Sequence, residues 1–274
     1  ENVYKRDGKV RIRLTILLQF FTSLYIPISS MAAELETKEQ IVYLVEVSEK
    51  ARRYDDMVEA MKKLIKLDPN LTLEERISLS TAYKGAMASR RTSWRALVSI
   101  EERTGASLSD AQQQVLENYR EKVQNELVNT CQELLTCINE VLFPKASDVE
   151  QKVFYLKMKA DYYRYISEVA TDEDRSGVVE LAKVAYQEAI DMAGDKIPAT
   201  NPTRLGLALN FAVFNYEILN SVTEARKVIQ TALDLANAHI ATLTQPLSEE
   251  AEDNLRVMKE NMDLWMPEGD KPPA

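Results

Sequence analysis

Between residues 33 and 266 the chain offers few places where a helix must stop. All 274 residues include only 7 Gly and 9 Pro, and these breakers separate long runs rich in Leu, Ala, Glu and Lys. Straight-chain residues and Ala lose little conformational freedom in a helix. The pattern therefore predicts helix after helix and no convincing strand. A first pair is expected over about 36–50 and 53–67, ending at Asp68, Pro69 and Asn70. A long helix follows from Thr72, a candidate N-cap, to Thr104, with Gly105 as terminator. Ser109 and Asp110 open another, which runs to about Phe143 and is stopped by Pro144. Further helices are expected over 148–169, 173–193, 202–219, 223–243 and 247–265. About nine helices result, allowing for one break inside a long segment. A helical-repeat solenoid would need a recurring period of about 34 residues. The helices differ in length and no signature recurs, so an all-α single domain of nine antiparallel helices is the expectation.

Charge and composition narrow the function classes. The formal net charge is −9, which argues against nucleic acid as a partner, because neutralising phosphates along a duplex needs a basic surface. A local basic pocket in an acidic protein is still compatible with that balance, and would be selective. The two cysteines, Cys131 and Cys137, fall on one expected helix and lie about 9 Å apart along its axis. A disulfide within that helix is excluded by geometry, and two core thiols in a reducing compartment are expected. One histidine, His239, and two cysteines cannot assemble a metal cluster or a Cys/His dyad, so neither metal nor cofactor is expected. His239 reads as a surface or packing residue.

The first residues differ from the rest. Lys5, Arg6, Lys9, Arg11 and Arg13 precede the apolar run 14–28, followed by Ser29, Ser30, Met31, Ala32 and Ala33. Basic start, apolar middle and small-residue end resemble a secretory signal or signal-anchor. The run is short for a membrane span of about 20 residues, and Gln19 and Pro27 weaken it. Residues 1–32 are therefore expected to be a non-native or upstream-translated leader or a mobile extension, with secretion ranked last. The helical domain is expected over 33–266 and a disordered tail over 267–274.

Three segments pattern their charge. Lys84 and Arg91 are seven apart and share one helix face. Lys157 and Arg164 repeat that spacing, with Asp161 between them and Tyr165 beside Arg164. Leu209, Asn210, Val213 and Glu217 line a third face. Taken singly, each stripe also reads as a solvated helix surface, and Tyr162, Tyr163 and Tyr165 read as core.

Together the segments resemble the 14-3-3 family, from about residue 38 to Trp265. The likeness is carried by RYDDM at Arg53–Met57, LSTAYK at Leu79–Lys84, SRRTSWR at Ser89–Arg95, KVFYLKMKADYYRY at Lys152–Tyr165, PTRLGLALNF at Pro202–Phe211 and LW at Leu264–Trp265. Several long, uncommon strings in the right order are specific in a way that composition is not. The resemblance implies a dimeric, cytoplasmic and sometimes nuclear adaptor with a concave groove and no catalytic residues. Its partners would be proteins phosphorylated on Ser or Thr with an upstream Arg, and a second copy or paralogue, with no membrane partner for the core. Lys84, Arg91, Arg164 and Tyr165 match the family's phosphate pocket. Asn210 and Asn261 match amides that hold the peptide backbone. Lys157, Leu209, Val213, Glu217, Val257 and Leu264 match the groove, and Asp161 and Glu168 match acids that orient its cations. Val47, Ala51, Arg53, Asp56, Leu97, Ile100, Tyr119, Lys122 and Glu126 match the dimer interface, beside which Ser93 lies. The chain departs from the family where Asp253 and Asn254 replace apolar residues, where Asn215 replaces Tyr, and along Thr242–Asn254. The runner-up reading is a helical scaffold that binds unphosphorylated partners through the same groove.

Overall fold

The computed structural model describes residues 37–265; the leader and tail expected over 1–32 and 267–274 lie outside the described residues. The described residues form nine helices and no strand: α1 (Lys38–Lys50), α2 (Tyr54–Leu67), α3 (Leu73–Thr104), α4 (Asp110–Cys137), α5 (Val149–Val169), α6 (Asp172–Ala193), α7 (Pro202–Glu217), α8 (Val222–Ile240) and α9 (Glu249–Leu264). The all-α expectation is met. The chain divides into two compact units, Glu1–Ala86 and Met87–Ala274, with the boundary inside α3.

In the first unit α1 and α2 pack together as a tight helical hairpin. Arg52 takes the left-handed region at φ 55° to make the turn. Thr37 and Gln40 form a reciprocal capping box at the start of α1. Thr72 caps α3 as expected: its Oγ1 accepts from the Glu75 N–H at 3.2 Å, and Glu75 Oε2 accepts from the Thr72 N–H at 2.8 Å. Lys38 bridges Asp68 at 2.8 Å and Glu75 at 3.0 Å, fastening α1 to the start of α3. Hydrogen bonds to Asp68 and Glu75 raise the Lys38 pKa above its ordinary value. Ile41, Val45, Met57, Met61 and Leu64 are buried here. Gly85 is required by close approach, because a Cβ there would fall on the ring of Tyr54.

In the second unit Ser109 and Gln112 cap α4, so the expected start at Asp110 is met. Its far end needs a correction. The run to Phe143 is not one α-helix but passes into a π-helical turn, Ile138–Leu142, before a last α turn, Phe143–Lys145, that contains Pro144. Neither cysteine is in a disulfide; Cys131 is buried and Cys137 half-buried. The Cys131 Sγ lies 3.8 Å from Met87 Sδ, and burial pushes its thiol pKa well up.

α5 packs against α4, α6 and α7. Ala160, Ala182, Ala185 and Ala189 bring α5 and α6 close, with Tyr186 buried among them. Gly194, at φ 35°, ends α6, in line with the expected range 173–193. Asn201 caps α7, with Pro202 in its first turn. α7 packs against α8 and α9 over a second apolar cluster, where Trp265 stacks on Tyr216 at 4.5 Å. α7 and α8 end at Glu217 and Ile240, short of the expected 219 and 243. His239 is a packing residue: its Nδ1 lies 2.8 Å from Thr200 Oγ1. No helix among the described residues is long and apolar enough to cross a membrane.

Candidate functional site

The 3.6-residue period of α5 places Lys157, Asp161, Arg164 and Glu168 along one face. Asp161 and Arg164 are buried, Arg164 to 5% exposure. Two buried charges need partners, and α5, α6 and α7 of the second unit supply them.

Asp161 is the hub. Tyr186 of α6 donates its O–H to Oδ1 at 2.6 Å. Asn210 of α7 donates Nδ2–H to both carboxylate oxygens, at 2.9 and 2.8 Å. Lys157 donates to Oδ2 at 3.2 Å, and an Arg164 Nη stands 3.8 Å from Oδ1. Burial pushes the Asp161 pKa up, but Lys157, Arg164 and the Tyr186 hydrogen bond outweigh it, so the pKa lies below its ordinary value. Tyr186 is driven the other way, well above its ordinary pKa, by burial and by Asp161. It remains a hydroxyl donor.

Arg164 donates Nε–H to Tyr186 Oη at 3.3 Å, and its Nη groups face Glu168 at 3.6 Å and Glu217 of α7 at 3.8 Å. Burial works against its charge, yet Tyr186, Tyr165 and Asp161 hold its pKa above the ordinary value. Arg91 of α3 grips Glu168 through two parallel bonds, Nε–H to Oε2 at 2.9 Å and Nη–H to Oε1 at 2.7 Å. Both guanidinium groups lie over the Tyr165 ring, 4.3 Å away for Arg91 and 4.6 Å for Arg164. Burial, partly opposed by Arg164, raises the Tyr165 pKa, so that hydroxyl also stays neutral.

Carboxylates hold two guanidinium groups and one lysine without using all of their donors, beside the neutral phenol of Tyr165. Arg91 commits two of its five N–H groups to Glu168. The spare N–H groups suit an anion with several acceptor oxygens. Among the described residues no group of three or more His, Cys, Asp or Glu is placed to hold a metal ion.

The structure thus brings together Arg91, Arg164, Tyr165, Lys157, Asn210 and Glu217, with Asp161 and Glu168 between them. Lys84, in the first unit, is exposed on α3. Leu209 and Val213 are half-buried against the α7–α9 core. Asn261 and Val257 are half-buried on α9, while Leu264 is 70% exposed. Tyr162 is buried in the core, and Tyr163 packs half-buried against the apolar cluster around Tyr186. Of the departures, Asn215 is buried and donates to the Phe211 carbonyl at 2.8 Å, away from the charged face. Asp253 is exposed and pairs with Arg256 at 2.8 Å.

Residues matched to a dimer interface are largely on the surface. In the first unit Val47 is 42% exposed, Ala51 is exposed, and Arg53 pairs with Asp56. In the second, Ile100 and Tyr119 are exposed, the latter to 54%, and Lys122 lies 4.0 Å from Glu126. Leu97 is buried.

Sequence reasoning missed two participants. Tyr186 bonds both Asp161 and Arg164, yet in sequence it is one aromatic in an alanine-rich helix and reads as core. The small-residue stripe around it was the available signal of close helix approach. Arg95, whose Nη donates to Glu168 Oε2 at 3.2 Å, was visible in sequence one turn beyond Arg91.

A family model described as 14-3-3 protein matches residues 44–266. Among similar proteins, 14-3-3-like protein 2 of Caenorhabditis elegans is 46% identical over 228 residues, covering 83% of this chain and 91% of that protein. The 14-3-3 protein zeta of Bombyx mori is 44% identical over 239 residues, covering 86% and 96%. The 14-3-3-like protein GF14 iota of Arabidopsis thaliana is 41% identical over 237 residues, covering 86% and 88%.

Proposed function

The chain belongs to the 14-3-3 family, and from that premise we propose that it is an adaptor, not an enzyme, that binds peptides phosphorylated on serine or threonine. One observation carries the reading. Arg91 and Arg164 converge over Tyr165 with their charges held by Glu168, Asp161 and Tyr186, and with N–H donors left over. A phosphoserine brings close to two negative charges and three acceptor oxygens. Two guanidinium forks and a neutral phenol match that acceptor set, and Lys84 adds a further cation by its place in the family motif. The carboxylates pre-position the cations, so little side-chain freedom is lost when the phosphate arrives.

The peptide's main chain is met by Asn210 and Asn261. Asn210 spends its Nδ2 on Asp161, which leaves Oδ1 to accept a peptide N–H. Glu217, part-exposed beside Arg164, suits an arginine upstream of the phosphoresidue. The protein works as a homodimer, or a heterodimer with a paralogue, in the cytoplasm and on occasion the nucleus. Two copies of the site then bind doubly phosphorylated clients with avidity.

The test is fluorescence anisotropy with one arginine-containing peptide, phosphorylated and unphosphorylated. Losing two charge-assisted hydrogen bonds removes about 3 kcal/mol or more, so a difference of at least about 100-fold is expected. Equal affinity would favour a scaffold for unphosphorylated partners and overturn the proposal.

A further inference from the structure

One helical turn from the Asp161–Asn210 pair, the same faces of α5 and α7 carry Lys157 and Gly206. There α9 contributes Asn254. The three meet at one spot: a Cβ on Gly206 would stand 3.3 Å from Lys157 Cε, 3.8 Å from Asn254 Oδ1 and 3.9 Å from Asn254 Nδ2. The missing side chain of Gly206 lets the Lys157 stem lie flat against α7 with its ammonium turned to Asp161.

The orientation of the Asn254 carboxamide follows from its neighbours. Its Nδ2 faces two carbonyl oxygens, Glu250 O at 2.9 Å and Pro202 O at 3.5 Å. Carbonyls can only accept, so the NH2 end must point to them and Oδ1 points away. No donor among the described residues bonds that Oδ1. Lys157 gives one of its three N–H donors to Asp161 and has others to offer. The spot therefore presents an acceptor beside a donor, half-shielded from water.

We infer that Asn254 and Lys157 form a polar subsite that selects a hydroxyl- or amide-bearing side chain (Ser, Thr, Asn or Gln) in the bound peptide. Such a side chain can donate to Asn254 Oδ1 and accept from Lys157 Nζ at once. A leucine would leave both groups desolvated and unpaired, and a carboxylate would set its oxygens against Oδ1. The inference rests on the phosphopeptide reading, which also gives the register. Lys157 and Arg164 are seven residues apart, about 10 Å along the helix. At about 3.3 Å per extended residue, the selected position lies roughly three residues from the phosphoresidue.

The experiment uses the full chain and an alanine-rich phosphoserine peptide with an upstream Arg. Ser, Gln or Leu is placed singly at the second to fourth positions on each side, and every peptide is also made without phosphate. The wild type is expected to bind Ser or Gln about fivefold more tightly than Leu at one position, from one or two net hydrogen bonds. In Asn254→Leu that preference is expected to vanish or reverse. Should that variant melt early, Asn254→Asp, nearly isosteric, is expected to move the preferred residue to Lys. A wild type that favours Leu throughout, or a preference that survives both variants, overturns the subsite while phosphate dependence stands. Equal binding with and without phosphate overturns the underlying reading and the subsite with it.

Discussion

Asp161 carries more of the site's architecture than any cation does. It accepts from Tyr186, Asn210 and Lys157 and stands against the buried Arg164. Removing it leaves Arg164 buried and short of its counter-charge, so Asp161→Ala is expected to destabilise by about 3–5 kcal/mol in urea unfolding. Its depressed pKa also fixes a sign for pH. A carboxylate that titrates lower when folded contributes stability above its unfolded value of about 3.9, and that stability fades as pH falls through the folded value. The wild-type midpoint should thus drop below about pH 4, and Asp161→Asn should flatten that acid limb. Cys131 makes a companion prediction: buried and with a raised thiol pKa, it should resist alkylation until the protein unfolds. The sequence showed the charges at seven-residue spacing but not their wiring. Tyr186 was hidden because an aromatic between alanines looks the same whether it fills space or bonds a buried ion pair. Which carboxylate holds which cation depends on how α5, α6 and α7 pack, and no single-helix pattern encodes that.

Element starts were the most legible feature, and the reason is local. Thr72, Ser109 and Ser248 each place an oxygen on an otherwise unpaired N–H of the first turn, and each was readable as a polar residue before an apolar-periodic run. Ser248→Ala is expected to lower stability by about 1 kcal/mol, seen as a shifted unfolding midpoint. Ends were less legible. The π turn at Ile138–Leu142 has no Gly or Pro to announce it, and its apolar residues, Ile138 and Leu142, continue the pattern of α4. Helices α7 and α8 stop short because Asn220 and the 241–247 link impose turns that periodicity does not register. Gly85 behaves in the opposite way: a glycine inside a helix ordinarily weakens it, whereas here the Tyr54 ring needs the space a methyl group would take. Gly85→Ala raises helix propensity, yet it should destabilise by about 1–3 kcal/mol because the ring must move. A rise in melting temperature would contradict that account.

At the scale of the whole molecule, the order of the nine helices among the described residues was legible in the breakers and caps, and the family assignment in the strings from Arg53 to Trp265. Assembly is encoded less directly, in exposed apolar side chains such as Val47 and Tyr119 on separate units. Exposed ion pairs contribute only about 0–1 kcal/mol each, so the proposed dimer depends on those apolar groups. Tyr119→Asp should shift light scattering from two chains toward one, and an unchanged mass would place the interface elsewhere. The central claim is that Arg91 and Arg164 receive a phosphate, and phosphorus NMR of a phosphoserine peptide reads that event at the phosphate itself. Free, its second ionisation falls near pH 6, at about the usual value. Bound between two guanidinium groups, the dianion is favoured, so the titration midpoint should move to lower pH. It should return toward the free value in Arg91→Gln. A phosphate that titrates in the complex as it does free in solution, or a peptide that never binds, would contradict the account.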